Sequence, residues 1–222
     1  MKNITIQLFE FSELSHEAKA KALESNRDIN VDNDYWYDSM YEHFCEVCKI
    51  LGICTEWKTI CFRGFWSQGD GSAFKATVDI STLIKAIQAN ALKEPLPEIT
   101  LHFPPCPCDK RVIALIEKGL IDAWCKINQP SHQHYSVSVD ADFNYSYSAC
   151  RNYGHIDREL NLLEHWISGI ADTLNHYLYE GLRHEYEQLV TDALVQESIE
   201  ANAYPFTKDG QLATHIETLS TH

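Results

Sequence analysis

The chain has 222 residues, with 18 basic and 32 acidic side chains and a formal net charge of −14. Its 45% hydrophobic and 11% aromatic content, with only 9 Gly and 7 Pro, excludes disordered and fibrous classes and leaves ample material for a core. The longest apolar run, 112–116, is five residues and the opening MKNITIQLFEF has no apolar signal core, so neither a membrane span nor secretion is expected; an acidic chain also disfavours direct contact with a nucleic-acid backbone.

Residues 3–9 alternate, with Ile4, Ile6 and Leu8 on one side, and predict a strand. Ser12 or Ser15 then caps a short helix through Ser25, with Glu17 in its first turn. A second helix is predicted over about 34–51, where Trp36, Met40, Phe44, Val47 and Leu51 recur at helical spacing and Gly52 supplies a stop. The period then changes to two. Ile60 and Phe62 alternate with polar neighbours, as do Phe74, Ala76, Val78 and Ile80, which predicts two strands joined by a long loop over 67–72. Ser81 caps a helix to about Asn90, a strand follows at 98–103, and Asp109 caps a further helix through Val112, Ile113, Leu115 and Ile116. Residues 135–147 carry the clearest strand signal: Tyr135, Val137, Val139, Ala141, Phe143, Tyr145 and Tyr147 take every odd place and polar residues every even one. The remainder is helical, with Leu160, Leu163, Ile167, Ile170, Leu174, Tyr177 and Leu178 on one stripe, a shorter helix from about Asp192 and a turn at Gly210 before a final strand. Strands and helices do not repeat as βαβ units and no linker is visible. The expected architecture is α+β, an antiparallel sheet with helices packed on one face and a long C-terminal helix, in a single domain over 1–222.

Eight cysteines without a signal sequence read as reduced thiols. Cys45 and Cys48 have CxxC spacing but fall inside the second predicted helix, as core residues would. A zinc site from His102, Cys106 and Cys108, with Cys125 or Cys150, lacks a second ligand pair spaced to complete it; the expectation is no metal and no cofactor. Asp172, His176, Glu180 and His184 form an i, i+4 row that reads either as a solvated face or as half of a two-helix metal site. There is no phosphate loop, dinucleotide fingerprint or nucleophile elbow, and His184-Glu185 fails as a zinc-protease start because position 188 is Gln. Charge is uneven: 155–200 holds ten acidic and two basic side chains, whereas 61–154 is neutral with nine of each. Asp172, Glu180 and Glu187 therefore define an acidic face, which either keeps the protein dissolved or meets a basic partner.

The densest constellation is the loop Arg63-Gly64-Phe65-Trp66-Ser67-Gln68-Gly69-Asp70-Gly71 leading to Phe74. Glycines permit turns and close approach, Gln68 and Asp70 offer hydrogen-bonding ends at the tip, and aromatics stand on both shoulders. One reading is an ordered turn whose Asp70 bonds its own backbone amides; the other is a binding loop. This hairpin, together with Leu8-Phe9-Glu10-Phe11-Ser12-Glu13-Leu14-Ser15, Arg27-Asp28-Ile29-Asn30-Val31-Asp32 and the tail from Ile199 through Tyr204-Pro205-Phe206 to Gly210, resembles a family of uncharacterised proteins of bacteriophage and prophage genomes, sometimes labelled antitoxin-like. The resemblance does not extend to 81–130, and it implies a mobile-element protein without implying a catalytic residue.

The expected function is thus a non-enzymatic binding protein, in the cytoplasm of a bacterial host, that occupies a host defence component (an anti-CRISPR role included) or a toxin. Its binding residues are expected to be Arg63, Trp66, Ser67, Gln68, Gly69, Asp70, Gly71 and Phe74, with His134 and Tyr135 at the start of the long strand. The expected partner is a host or mobile-element protein, with a basic one favoured by the acidic face. The rival reading is a small hydrolase or nucleotide-processing enzyme that pairs Asp70 with His132 or His134, for which carboxylate and imidazole must converge to about 3 Å or one water.

Overall fold

The computed structural model describes residues 7–92, 101–129, 135–146 and 153–213. Packing groups the chain into two compact units, a larger one of Asp38–Arg183 and a smaller one of Met1–Tyr37 with His184–His222. The second crossing between them falls inside a continuous helix, which is why no linker marks it in the sequence. Among the described residues no helix is long and apolar enough to cross a membrane.

In the smaller unit, Ser15 caps α1 (His16–Ser25) by accepting the Ala18 amide at 3.3 Å, with Glu17 in the first turn. The small side chains of Ala18 and Ala22 join Phe11, Leu14 and Phe206 in a core with Val195 and Ile199 of α6 (Asp192–Ala201). Phe9 and Phe206 exchange backbone hydrogen bonds at 2.8 and 2.9 Å, and Phe206 also bridges Leu212. The strands expected at both chain ends are therefore isolated bridges among residues 7–9 and 206–212; residues 3–6 lie outside the described ones. Arg27 ties the segment after α1 to the start of α6, reaching Glu24 at 2.7 Å, Asp192 at 3.1 Å and the Val190 carbonyl at 3.1 Å.

The larger unit begins with α2 (Asp38–Ile50), which buries Met40, Tyr41, Phe44, Val47 and Cys48 and ends at Gly52 in the left-handed region at φ +73°. An antiparallel sheet of four strands follows in the order β1 (Ile53–Thr55), β4 (Ala76–Val78), β5 (Ile121–Asn128) and β6 (Ser138–Tyr145). A separate hairpin is formed by β2 (Cys61–Arg63) and β3 (Gly71–Ala73). The strand expected over 74–80 is thus shortened to β4, which enters the main sheet between β1 and β5, while Ile80 already begins a helix. The partner of β2 is instead β3, which starts inside the expected loop, and Phe74 and Lys75 turn the chain between β3 and β4. β5 has no counterpart in the sequence reading. The main-sheet register sets Ile53, Val78, Ile121, Cys125 and Ile127 on a buried face and Cys54, Thr77, Asp122 and Trp124 on an exposed one.

Three helices complete the unit, α3 (Ile80–Gln88), α4 (Lys110–Glu117) and α5 (Tyr153–Leu189), so the architecture is α+β with an antiparallel sheet and a long C-terminal helix. α3 is capped by Asp79 rather than Ser81: its carboxylate accepts the Thr82 amide at 3.0 Å and the Thr82 hydroxyl at 2.8 Å. α4 is capped, as expected, by Asp109, which accepts the Arg111 amide at 2.7 Å. Residues 101–103 hold no regular structure, and the rest of the strand expected at 98–103 lies outside the described residues. In α5 the stripe read from the sequence is the buried one, from Ile156, Leu160 and Leu163 through Ile167, Ile170 and Leu174 to Leu178 and Leu182.

Gly210 gives the first test. It sits at φ +81°, and a β-carbon there would collide with the Ala18 carbonyl of α1. Gly210→Ala combines a strained dihedral with that collision, so a loss of at least about 2 kcal/mol is expected, read as faster amide hydrogen exchange in α1 and α6. Unchanged exchange in both helices would contradict this packing.

Candidate functional site

The hairpin register pairs Cys61 with Ala73, Phe62 with Ser72 and Arg63 with Gly71, so the connecting loop is 64–70. Asp70 closes it. Its Oδ2 accepts the amide of Trp66 at 2.9 Å and that of Ser67 at 2.6 Å, while its own amide donates to the Ser67 carbonyl at 3.1 Å. Two N–H groups that the strand ladder leaves without partners are satisfied by one carboxylate. Gly64, at φ +49°, makes the closure sterically possible, because a β-carbon there would lie 2.6 Å from the Asp70 carboxylate oxygen. Asp70 therefore turns back into its own loop and does not project from the tip, as a partner-binding or catalytic carboxylate would.

With the backbone so fixed, the loop carries a line of aromatic rings. Trp57 meets Tyr41 edge-on at 6.2 Å, Tyr41 meets Phe62 at 6.5 Å, and Phe62 stacks on Phe65 at 5.7 Å with planes 22° apart. Phe65 touches Tyr179 of α5 at 5.6 Å and, edge-on, Trp66 at 5.6 Å. The inner members are buried or half-buried, while Trp57 and Trp66 at the ends are 41% and 68% exposed. Burial pushes the Tyr179 phenol up, and the charge of Asp70 adds to that while Arg183 opposes it. Below the turn, Ser72 is buried with its hydroxyl 2.9 Å from both the carbonyl and the side-chain oxygen of Asn175, so β3 is fastened to α5.

The expected binding residues separate into two groups. Arg63, Trp66, Ser67, Gln68 and Gly69 are exposed together around the loop. Phe74 is not among them: it is fully buried and meets Phe44 of α2 edge-on at 5.0 Å, so it belongs to the core. Gly71 is buried as well, and a β-carbon there would lie 2.7 Å from the Tyr135 carbonyl, so the backbone at Tyr135 presses on the base of the hairpin. His132 and His134 lie outside the described residues, and Asp70 is already engaged by two amides. Tyr41, Trp57 and Tyr179 complete the aromatic line, and the sequence carries no signal for them, because nothing local links three positions on different elements.

The other candidates dissolve into structure. Among the described residues no three His, Cys, Asp or Glu side chains come together to hold a metal. In the Pro-Cys loop His102 is exposed, while Cys108 is buried and its thiol is pushed up to about 12 by that burial, by Cys106 and by Glu159 and Asp109. Glu159 is occupied in accepting the Asp109 amide at 2.8 Å, and Trp166 donates its indole N–H to the Pro104 carbonyl at 2.8 Å, so α5 holds this loop at two points. Cys48 is a core residue of α2 whose thiol burial also pushes up, and Cys45 beside it is half-buried. On the acidic face, Asp172 is exposed and Glu180 is held by Arg183 at 2.5 Å. Glu187 is exposed and belongs to the smaller unit.

Two outcomes follow from these placements. Phe74→Ala should cost about 3–5 kcal/mol of folding stability in urea unfolding, as loss of a core aromatic does, whereas the exposed Trp66→Ala should move the midpoint little. Cys108 and Cys125 ionise near 12 when folded, against an ordinary value of 9.0, so the folded state holds their protons more tightly. Their contribution is then complete below pH 9.0 and lost as the pH climbs towards 12. Urea midpoints taken across that window should fall, and fall less in Cys125→Ala; an equal fall in both proteins would remove Cys125 from the account.

No curated protein and no solved structure matches the chain. One family does: residues 36–192 match the DUF8835 family, described as a domain of unknown function, and this span takes in all of the larger unit. The hairpin loop, its aromatic line and the α5 segment beneath them all fall within it, and on that match the chain belongs to the DUF8835 family.

Proposed function

We propose that this protein is a non-enzymatic binding protein that uses the 64–70 loop as its contact surface and Trp66 as the anchor. The observation that carries the reading is the combination of a fixed backbone with an exposed large ring. Asp70 holds the amides of Trp66 and Ser67, Phe65 backs the indole, and 68% of Trp66 still faces solvent. An indole left largely in water gains little for folding, and a turn that needs only closure has no use for so large a ring. A pre-ordered aromatic of this kind loses little conformational freedom on association, which is the property of interface anchors. Arg63, Ser67 and Gln68 surround it with hydrogen-bonding groups, as the rim of a contact patch does.

The partner is a protein of the bacterial host or of a mobile element, a defence component or a toxin, and its setting is the host cytoplasm. The family resemblance of the hairpin supports that assignment, and the net charge of −14 favours a basic partner by steering the encounter. Catalysis is not invoked, since the one carboxylate of the loop is spent on its own amides.

The experiment is co-purification of the tagged protein from its bacterial host at near-stoichiometric yield, repeated with loop variants. Trp66→Ala should lose at least about 2 kcal/mol of affinity with its melting temperature preserved. Asp70→Asn keeps an acceptor for the two amides and should retain binding, whereas Asp70→Ala frees the loop and should weaken it. A partner held equally well by Trp66→Ala would remove the loop from the contact.

A further inference from the structure

Among the described residues β6 is a sheet edge without the usual protection. It ends the strand order, and among the described residues no strand pairs with its outer side. It runs residue for residue against β5, from Ile121 opposite Tyr145 to Asn128 opposite Ser138, with no bulge. Its sequence, SVDADFNY, holds no Pro, Gly or Lys. Edge strands are ordinarily kept short, bulged, or marked by Pro or Lys, because alternate N–H and C=O groups along an edge point outwards and accept another strand.

The two faces flanking this edge differ in chemistry. On the exposed face stand Ser138, Asp140, Asp142 and Asn144; on the other, Val139, Ala141 and Phe143 are only half-buried, so each leaves apolar surface uncovered at the rim. The cation directly across from Asp140 is Lys126, yet its ammonium lies over the Trp124 ring at 4.5 Å. Among the described residues neither Asp140 nor Asp142 makes an ion pair, and Asp142 accepts only the Asn144 side-chain amide at 3.0 Å.

We infer that the outer edge of β6 takes up an extended basic peptide by strand addition. Backbone hydrogen bonds supply the docking, Lys or Arg at alternate positions meets Asp140 and Asp142, and the intervening apolar residues cover Val139, Ala141 and Phe143. A second copy of this chain is the wrong occupant, because antiparallel pairing of two β6 edges sets the aspartates of one against those of the other. The inference uses no part of the Trp66 loop and stands or falls apart from it.

The test titrates the full chain with a short blocked peptide alternating lysine and valine, followed by calorimetry and amide hydrogen exchange. The expected result is saturable binding that slows exchange across Ser138–Tyr145. Methylating alternate backbone nitrogens of the peptide keeps its charge but removes half its donors, and should abolish binding to the unaltered protein. Asp140→Asn with Asp142→Asn, confirmed as folded by circular dichroism, should weaken the unmethylated peptide by about tenfold. Equal binding of the methylated peptide, protection confined to other elements, or no saturable binding would each overturn the inference. So would a concentration-dependent dimer that protects β6, since it would give the edge to a second copy.

Discussion

Burial of the apolar stripe of α5 is the constraint on which the larger unit depends. Once Leu163, Ile167, Ile170, Leu174 and Leu178 are buried, the helix is fixed and offers a row of attachment points along its length. In order along the helix, Asp157 accepts the Tyr145 hydroxyl of β6 at 2.5 Å, Glu159 the Asp109 amide, and Trp166 donates to Pro104. Asn175 then takes Ser72 of the hairpin, Tyr177 meets His43 of α2 at 2.6 Å, and Tyr179 supports Phe65. None of these contacts is large alone, and a hydrogen bond of this kind contributes about 1 kcal/mol. Their common effect is positional. Segments from 43 to 145 in the chain are each referred to the same rigid rod, so their relative placement follows from the spacing of side chains on one helix.

The hairpin shows what that placement accomplishes. A two-stranded ribbon is marginal in water by itself. Here its inner edge is buried at Gly71, Ser72 and Ala73, its base is pressed by Tyr135 and its aromatic shoulder leans on Tyr179. Only the tip is left in solvent, and the tip is closed internally by Asp70. The surface it presents is therefore stiff without being buried, and this stiffness distinguishes an exposed Trp66 from an ordinary surface aromatic.

Cysteines and histidines invite metal or redox chemistry when read as a string, but among the described residues several are engaged in packing or local hydrogen bonds. Cys48, Cys108 and Cys125 are buried, and burial, with nearby thiols or carboxylates adding to it, disfavours the thiolate, the form a metal would need. His43 is bound to a tyrosine hydroxyl, and His155 stands between Asp109 and Glu159 at 3.6 and 3.8 Å as a link between the α4 cap and α5.

Local physics in the sequence determined a good part of this molecule. The alternation of β6, the stripe of α5, the caps at Ser15 and Asp109 and the stop at Gly52 each need only a few neighbouring residues, because periodicity and capping act within one or two turns. The turn of the hairpin was legible for the same reason, as a glycine-rich loop after an alternating run, but its second strand was not, since β2 pairs with 71–73 and not with the run from Phe74. Tertiary structure alone decided the rest. β5 carries no clear local signal, because Trp124 sits on the exposed face and Cys125 on the buried one, and residue type by itself does not say which face will be covered. The break between β3 and β4 is invisible in a run whose alternation continues through Phe74, since what ends one ladder and begins the next is the availability of different partners. Asp70 could be read as turned inwards or outwards until the space at Gly64 was known, and Tyr41, Trp57 and Tyr179 joined the aromatic line only through contacts between different elements, the Phe65–Tyr179 contact joining the loop to α5. Sequence period assigns a side chain to a face; only the folded chain decides what that face meets.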